Sequence, residues 1–223
     1  MSPNLDRISV KARAHPDLVF TSLYHHIADI EHLRTCFRLL QGNKAVGVDE
    51  VTKAMYAEDL EANLQDLSAR LKRMGYRPQP KRRVYIPKPG SEKGRPLGMS
   101  SFEDKMVELA TKRVLEPLFE PLFEDCSYGY RPKRSPHQCL DALGRTIQQK
   151  CVNHLVEADI RGFFDAVNHE WLLKFLRQRI GDNQVLRLIR RMLKAGIMEE
   201  GLVQATEVGT PQGSILSPLL SNV

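Results

Sequence analysis

Long apolar runs are missing from this 223-residue chain. No segment approaches the roughly 18 consecutive apolar residues of a membrane helix, so no membrane partner is expected. The first residues, Met1-Ser2-Pro3-Asn4-Leu5-Asp6-Arg7, lack the charged-then-apolar layout of a secretory signal. Cysteine is scarce: Cys36, Cys126, Cys139 and Cys151 show no C-x-x-C spacing. Neither a zinc site nor a disulfide framework is suggested, and reduced thiols with a cytoplasmic location are the expectation. There is no internal repeat and no low-complexity linker, which sets aside repeat arrays. What remains is ordinary globular composition, 42% hydrophobic and 27% charged, enough for one or two domains with a full core.

The formal charge of +6 is unevenly spread. Between Arg70 and Arg95 stand ten Lys or Arg and one acid, Glu92, so that segment carries +9 and the rest of the chain −3. A lone basic run is usually a solvated face. Here the cations alternate with Tyr76, Pro78, Pro80, Val84, Tyr85 and Pro87. That pattern suits a strand or hairpin pressed against nucleic acid.

Apolar spacing predicts a helix from Pro16 to about Leu40 and a second from about Ala57 to Met74, stopped by Gly75. A β-hairpin follows over about 82–99, with turn residues from Lys88 to Gly94. Ser101 with Asp104 reads as a capping box, opening a helix that Pro117 and Pro121 limit or break. Ser135-Pro136 opens another helix to about Gln149. His154–Ile160 reads as a buried-type strand. Helices over Trp171–Arg179 and Asn183–Lys194, a hairpin over Gly196–Val208 and a last helix complete the pattern. The boundary falls near Lys150, giving regions 1–150 and 151–223.

Two strings carry chemistry. Ala158-Asp159-Ile160-Arg161-Gly162-Phe163-Phe164-Asp165 sets a carboxylate at the end of an apolar run. Gly209-Thr210-Pro211-Gln212-Gly213-Ser214 is a turn before a Leu-rich segment. Phosphoryl transfer needs metal ions that hold the reacting oxygens and cations that neutralise a triphosphate. Magnesium takes oxygen ligands, so a carboxylate at a strand end is a candidate for holding it. An Asp there also serves as a plain turn cap, Asp165 reads equally as an N-cap, and Phe163 or Phe164 reads equally as a core aromatic.

Taken with Ile86-Pro87-Lys88-Pro89, Arg95-Pro96-Leu97-Gly98, Val114-Leu115-Glu116-Pro117-Leu118-Phe119 and Ser127-Tyr128-Gly129-Tyr130-Arg131-Pro132, these strings resemble, in order, the fingers and motifs A and B of group II intron-encoded reverse transcriptases. The resemblance covers about Val46 to Val223. It implies an α/β (α+β) fold: mostly helical fingers with a basic β-hairpin, then a partial palm in which an antiparallel sheet packs on helices. It implies RNA-directed DNA synthesis with two Mg2+ ions, an RNA template (intron RNA), a DNA or RNA primer and deoxynucleoside triphosphates.

On that resemblance Asp159 is the catalytic metal ligand, joined by the Ile160 carbonyl. Lys88 and Arg95 close on the triphosphate, Phe164 crowds the sugar 2′ position, and Gln212 with Gly213 meets the forming base pair. Arg82, Arg83, Tyr130 and Arg131 are expected on the template, although a packing role fits Tyr130 and Arg131 equally. The Tyr-x-Asp-Asp segment of motif C does not occur, so the expectation is an incomplete, inactive or weakly active portion. The alternative expectation is a non-catalytic RNA-binding maturase-type module.

Overall fold

The computed structural model of the protein describes residues 5–88, 91–210 and 212–223, apart from the side chains of residues 88 and 91–93. The first helix, α1 (Leu5–Ala14), turns Ile8 and Ala12 inward. The single helix expected from Pro16 to Leu40 is broken into α2 (Tyr24–Ile27) and α3 (Ile30–Leu39). Two carboxylates make the break. Asp29 caps α3 by accepting the His32 N–H at 2.8 Å, as N-cap residues do. Asp182 accepts the Leu23 and Tyr24 N–H groups, each at 2.8 Å. Phe20 meanwhile forms a β-bridge with Ile180. Local periodicity carries no trace of a partner 158 residues away.

α5 (Leu60–Lys72) forms within the helix expected over about Ala57–Met74, and the short α4 (Lys53–Glu58) precedes it. α5 buries Leu64, Leu67 and Leu71. β1 (Lys81–Lys88) and β2 (Ser91–Met99) pair antiparallel from Arg82↔Met99 to Ile86↔Arg95, as the sequence indicates. Pro89 and Gly90 of the turn lie outside the described residues. Ser101 caps α6 (Phe102–Phe119) by accepting the Asp104 N–H at 3.2 Å. α6 runs through Pro117, which falls in its last turn, and Pro121 sits in the 3-10 turn that follows. α7 (Pro136–Gln149) starts at Ser135 as expected.

The expected strand His154–Ile160 does not form. Its backbone pairs with no described residue, and Leu155, Val156 and Ile160 are 65%, 90% and 68% exposed. A strand persists only where a neighbour takes its N–H and C=O groups, and neither edge strand of the four-stranded sheet pairs with this segment. α8 (Phe163–Ala166), α9 (His169–Arg177) and α10 (Asn183–Leu193) follow. Next come β3 (Ile197–Glu199) and β4 (Leu202–Gln204), turned at Glu200-Gly201, and then α11 (Ser217–Leu220). The four strands make one sheet in the order β2-β1-β3-β4, with β1 and β3 parallel. The sheet is therefore built on the basic hairpin rather than on residues 154–160.

α6 is the axis of the core. Met106, Val107, Ala110, Val114, Leu115 and Leu118 are wholly buried, and the same cluster takes in Leu33, Leu67, Leu176 and Ile189 from the surrounding helices. Each such side chain contributes about 1.5–3 kcal/mol on burial. Arg179 ties the end of α9 to the end of α1 by donating to the Ala12, His15 and Pro16 carbonyls.

Asp104 lies in this core, accepting from the Tyr76 hydroxyl and from the Gln79 N–H at 2.9 Å. Burial pushes its carboxyl from an ordinary 3.8 up to about 6, against the pull of these bonds. Its folded pKa is raised, so its contribution to stability is whole below about pH 4 and is lost as pH rises through 6. Urea titrations from pH 4 to 7 are expected to show Asp104→Asn gaining about 1–3 kcal/mol relative to the wild type over that interval. Parallel curves would contradict the assignment.

Candidate active site

A buried ionic group holds the hairpin, α6 and the segment after the Pro-Gln-Gly turn together. Lys81, Ser100 and Glu108 are 4%, 2% and 2% exposed. The Lys81 ammonium pairs with Glu108 Oε1 and donates to Ser100 Oγ at 2.7 Å. Ser100 Oγ donates to Glu108 at 3.0 Å, and Glu108 Oε2 accepts the Ile215 N–H at 2.9 Å. The sequence reading counted Lys81 in the basic stripe and passed over Glu108. A signal was available: Asp104, Glu108 and Thr111 fall four and three residues apart, placing polar groups on one face of α6.

The turn itself is locked to the hairpin base. The Gly98 N–H donates to the Gln212 carbonyl at 2.7 Å. Gly213 has φ +101, and a Cβ there would stand 2.9 Å from the Gly98 oxygen. A left-handed backbone and a close approach both require glycine at this position. Upstream, Gly209 has φ +88 and sits against the Phe164 and Asp165 carbonyls. The Thr210 N–H donates to the Phe164 carbonyl at 2.7 Å and the Gly209 N–H to Val167 at 2.8 Å. Buried His169 donates from Nε2 to the Gly209 carbonyl at 2.6 Å. Residues 209–213 thus join the corner at α8 and α9 to the hairpin. Pro211 lies outside the described residues.

Arg83, Phe164, Asp165 and Thr210 line a cavity of about 360 Å³, floored by Ile197 and Gln204 of the second hairpin. Arg83 Nε and Thr210 Oγ1 are buried there without a hydrogen-bond partner among the described residues. Buried polar groups are normally satisfied, so this cavity suits a polar ligand. Phe164 meets Phe163 edge-on at 5.5 Å and Tyr130 at 6.5 Å. Tyr130 is 64% exposed, so its ring presents a face to solvent beside Phe164.

Other expected site residues fall elsewhere. Arg131 is buried, paired with Glu120 at 2.9 Å and donating to the Glu124 and Ser127 carbonyls. Its guanidinium is committed to its own loop, so packing, not template contact, accounts for it here. Arg82 donates to the Val46 carbonyl at 2.9 Å. Arg95 is exposed opposite Ile86, and Gln212 is half-buried. The Lys88 side chain lies outside the described residues. The basic stripe is partly internal: Arg70 is bonded to Asp66 and Glu103, and Lys81 to Glu108.

Asp159 and Ile160 sit in the exposed irregular segment. Among the described residues no three His, Cys, Asp or Glu side chains gather as a metal site. One carboxylate and one carbonyl do not fit a two-ion centre, which needs several shared oxygens.

The reverse transcriptase (RNA-dependent DNA polymerase) family model matches residues 86–223. The chain belongs to the reverse transcriptase family. Within it, the similarity is to group II intron proteins. It is 37% identical to the group II intron-encoded protein LtrA of Lactococcus lactis subsp. cremoris over 98% of this chain and 36% of that protein. It is 36% identical to protein YkfC of Escherichia coli (strain K12) over 97% of this chain and 58% of that one. The chain thus spans about a third of LtrA and under two thirds of YkfC. A solved partial Cas6-RT-Cas1--Cas2 complex contains a chain that superposes at a TM-score of 0.60 and 24% identity, covering 90% of this chain and 33% of that chain. That likeness shows a shared mixed α/β fold.

The glycine lock makes a paired prediction. Gly213→Ala is expected to destabilise by about 1–3 kcal/mol, through left-handed strain and the Gly98 contact. Gly144→Ala, in α7 with open space around it, is expected to stabilise by about 0.5–1 kcal/mol. Chemical denaturation measures both; a neutral Gly213→Ala would contradict the close approach.

Proposed function

We propose that this chain supplies the fingers (1–150) and the opening part of the palm (151–223) of an RNA-directed DNA polymerase of the group II intron type. One observation carries this reading: residues 209–213 are hydrogen-bonded both to the α8–α9 corner and to the base of the basic hairpin. The turn, the basic hairpin and the Phe164 end of the Asp159 string therefore act as one unit, while Asp159 itself stands outside it. In the proposed mechanism the Arg95 guanidinium and the Lys88 ammonium neutralise the incoming triphosphate. Phe164, buttressed by Tyr130, excludes a 2′-hydroxyl. The Gly213 backbone lets the forming base pair approach. Asp159 and the Ile160 carbonyl would supply two of the oxygens of a magnesium centre, which would neutralise charge at the transferring phosphate, and by themselves they do not complete it. The primer, the intron-type RNA template and a cytoplasmic setting belong to the same proposal.

Exposed apolar residues support the incompleteness of the centre. Leu155, Val156 and Ile160 lie open to solvent, as does the Leu140, Leu143, Ile147 face of α7, which has no buried residue. A strand with this composition belongs inside a sheet on helices. We infer that further strands cover it in the working polymerase.

The rival reading, an RNA-binding maturase-type module, draws on the exposed cations Lys72, Arg73, Arg77 and Arg95. Two measurements separate them. With annealed RNA template, DNA primer, deoxynucleotides and magnesium, residues 1–223 alone are expected to extend no primer; sustained synthesis would refute incompleteness. Magnesium-dependent binding of labelled deoxynucleotide is expected to weaken about tenfold in Arg95→Gln and to weaken also in Asp159→Ala. Nucleotide binding indifferent to both, with structured RNA still bound, would favour the rival.

A further inference from the structure

A second basic surface lies on the α9–α10 pair, and it shares no lining residue with the cavity beside Phe164. It is a groove of about 420 Å³ with Leu173 and Leu186 on its floor. Arg177, Arg187, Arg190, Arg191 and Lys194 form its walls, and its lining contains no acid. Along α10 and its C-cap, Arg187 lies three and four residues before Arg190 and Arg191, and Lys194 four and three after them, which puts the four on one face. The side chains of Arg177, Arg187, Arg190 and Lys194 are exposed and make no ion pair among the described residues.

Ordinary structural reasons do not account for the cluster. A helix dipole favours cations in the last turn, which covers Arg190, Arg191 and Lys194. Arg187 stands in the middle of α10 and gains nothing from it. Solvated faces usually mix both signs, whereas α10 has no acidic residue. Arg191 donates to the Met74 and Tyr76 carbonyls, and Arg77 donates to the same two. The groove is thereby continuous with the basic segment leading into β1. Burial first, and then the neighbouring guanidiniums of Arg77 and Arg187, hold the Arg191 pKa below its ordinary value.

We infer that this groove binds the phosphodiester backbone of nucleic acid, as a contact separate from the copying cleft. The inference rests on the polymerase reading only for the class of ligand. Arginine forks match phosphate oxygens bidentately. The eight residues from Arg187 to Lys194, the C-cap of α10, span about 10 Å at ~1.5 Å per residue. That matches about three phosphates at the ~3.4 Å axial spacing of one strand. An acidic protein partner is the less favoured occupant, because the floor offers only two leucines to anchor it.

The test uses the full chain and a variant carrying Arg187→Gln, Arg190→Gln and Lys194→Gln, all exposed positions. Its charge-matched control carries Lys11→Gln, Arg13→Gln and Lys150→Gln. Binding of a fluorescent RNA hairpin, and of a DNA duplex of the same sequence, is followed by anisotropy across a salt series. The groove variant is expected to lose roughly ten- to a hundredfold in affinity. Its log K against log [salt] slope is expected to become shallower by about two to three. The polymer that loses more identifies the source of the backbone. Wild-type affinity and slope in the groove variant would overturn the inference, as would an equal loss in the control. Polyglutamate binding that nucleic acid does not compete would overturn it in favour of a protein partner. Arg95→Gln, run in parallel, reports the triphosphate site, so failure there leaves the groove result readable.

Discussion

The carboxylate of Glu108 is the constraint on which the site depends. It is buried on α6, where the Lys81 ammonium, Ser100 and the Ile215 N–H bond to it directly. A buried pair of this kind adds little net stability over apolar side chains of the same size, yet loss of one partner typically costs about 3–5 kcal/mol. Its value is positional. The hairpin, the α6 helix that follows it and a segment 107 residues further on all meet at this one carboxylate. That meeting sets Gly98 beside Gly213 and aligns the basic hairpin with the turn.

The sheet is the second consequence. With Lys81 pinned to α6, β1 takes β2 on one edge and β3 on the other. The Arg83 side chain comes to line the cavity shared with Phe164 and Thr210. The two hairpins and the turn are thereby joined in one hydrogen-bonded frame. Residues 152–160, which carry Asp159, lie outside it with apolar side chains in solvent. The frame is assembled while the segment that carries Asp159 pairs with no described strand, which is why the turn and hairpin are easier to recognise than the surroundings of that carboxylate.

Much of this was legible in the sequence where the cause is local. The hairpin over 82–99, the Ser101 and Ser135 caps and the helices around Trp171 and Val185 depend on neighbours within a few residues, and they stand as read. The helix across Pro16–Leu40 failed because Asp182, remote in sequence, caps its interior. The strand at His154–Ile160 failed for the opposite reason: its residues are right for a strand, but pairing is a property of the partner. Glu108 was missed because a single polar residue on an apolar stripe looks like noise until its cation is found. For Arg131 the sequence leaves template contact and packing open, because charge in a motif says nothing about which carbonyls lie nearby.

Amide hydrogen exchange at Gly98 and Ile215 tests the coupling most directly, in the wild type and in a variant carrying both Lys81→Met and Glu108→Leu. The double replacement removes the charged pair without leaving a buried ion alone. The account predicts a folded variant in which both amides lose protection together, by about ten- to a hundredfold. Loss at Ile215 with Gly98 still fully protected would show that the turn and hairpin are held by something other than Glu108, and would contradict the account.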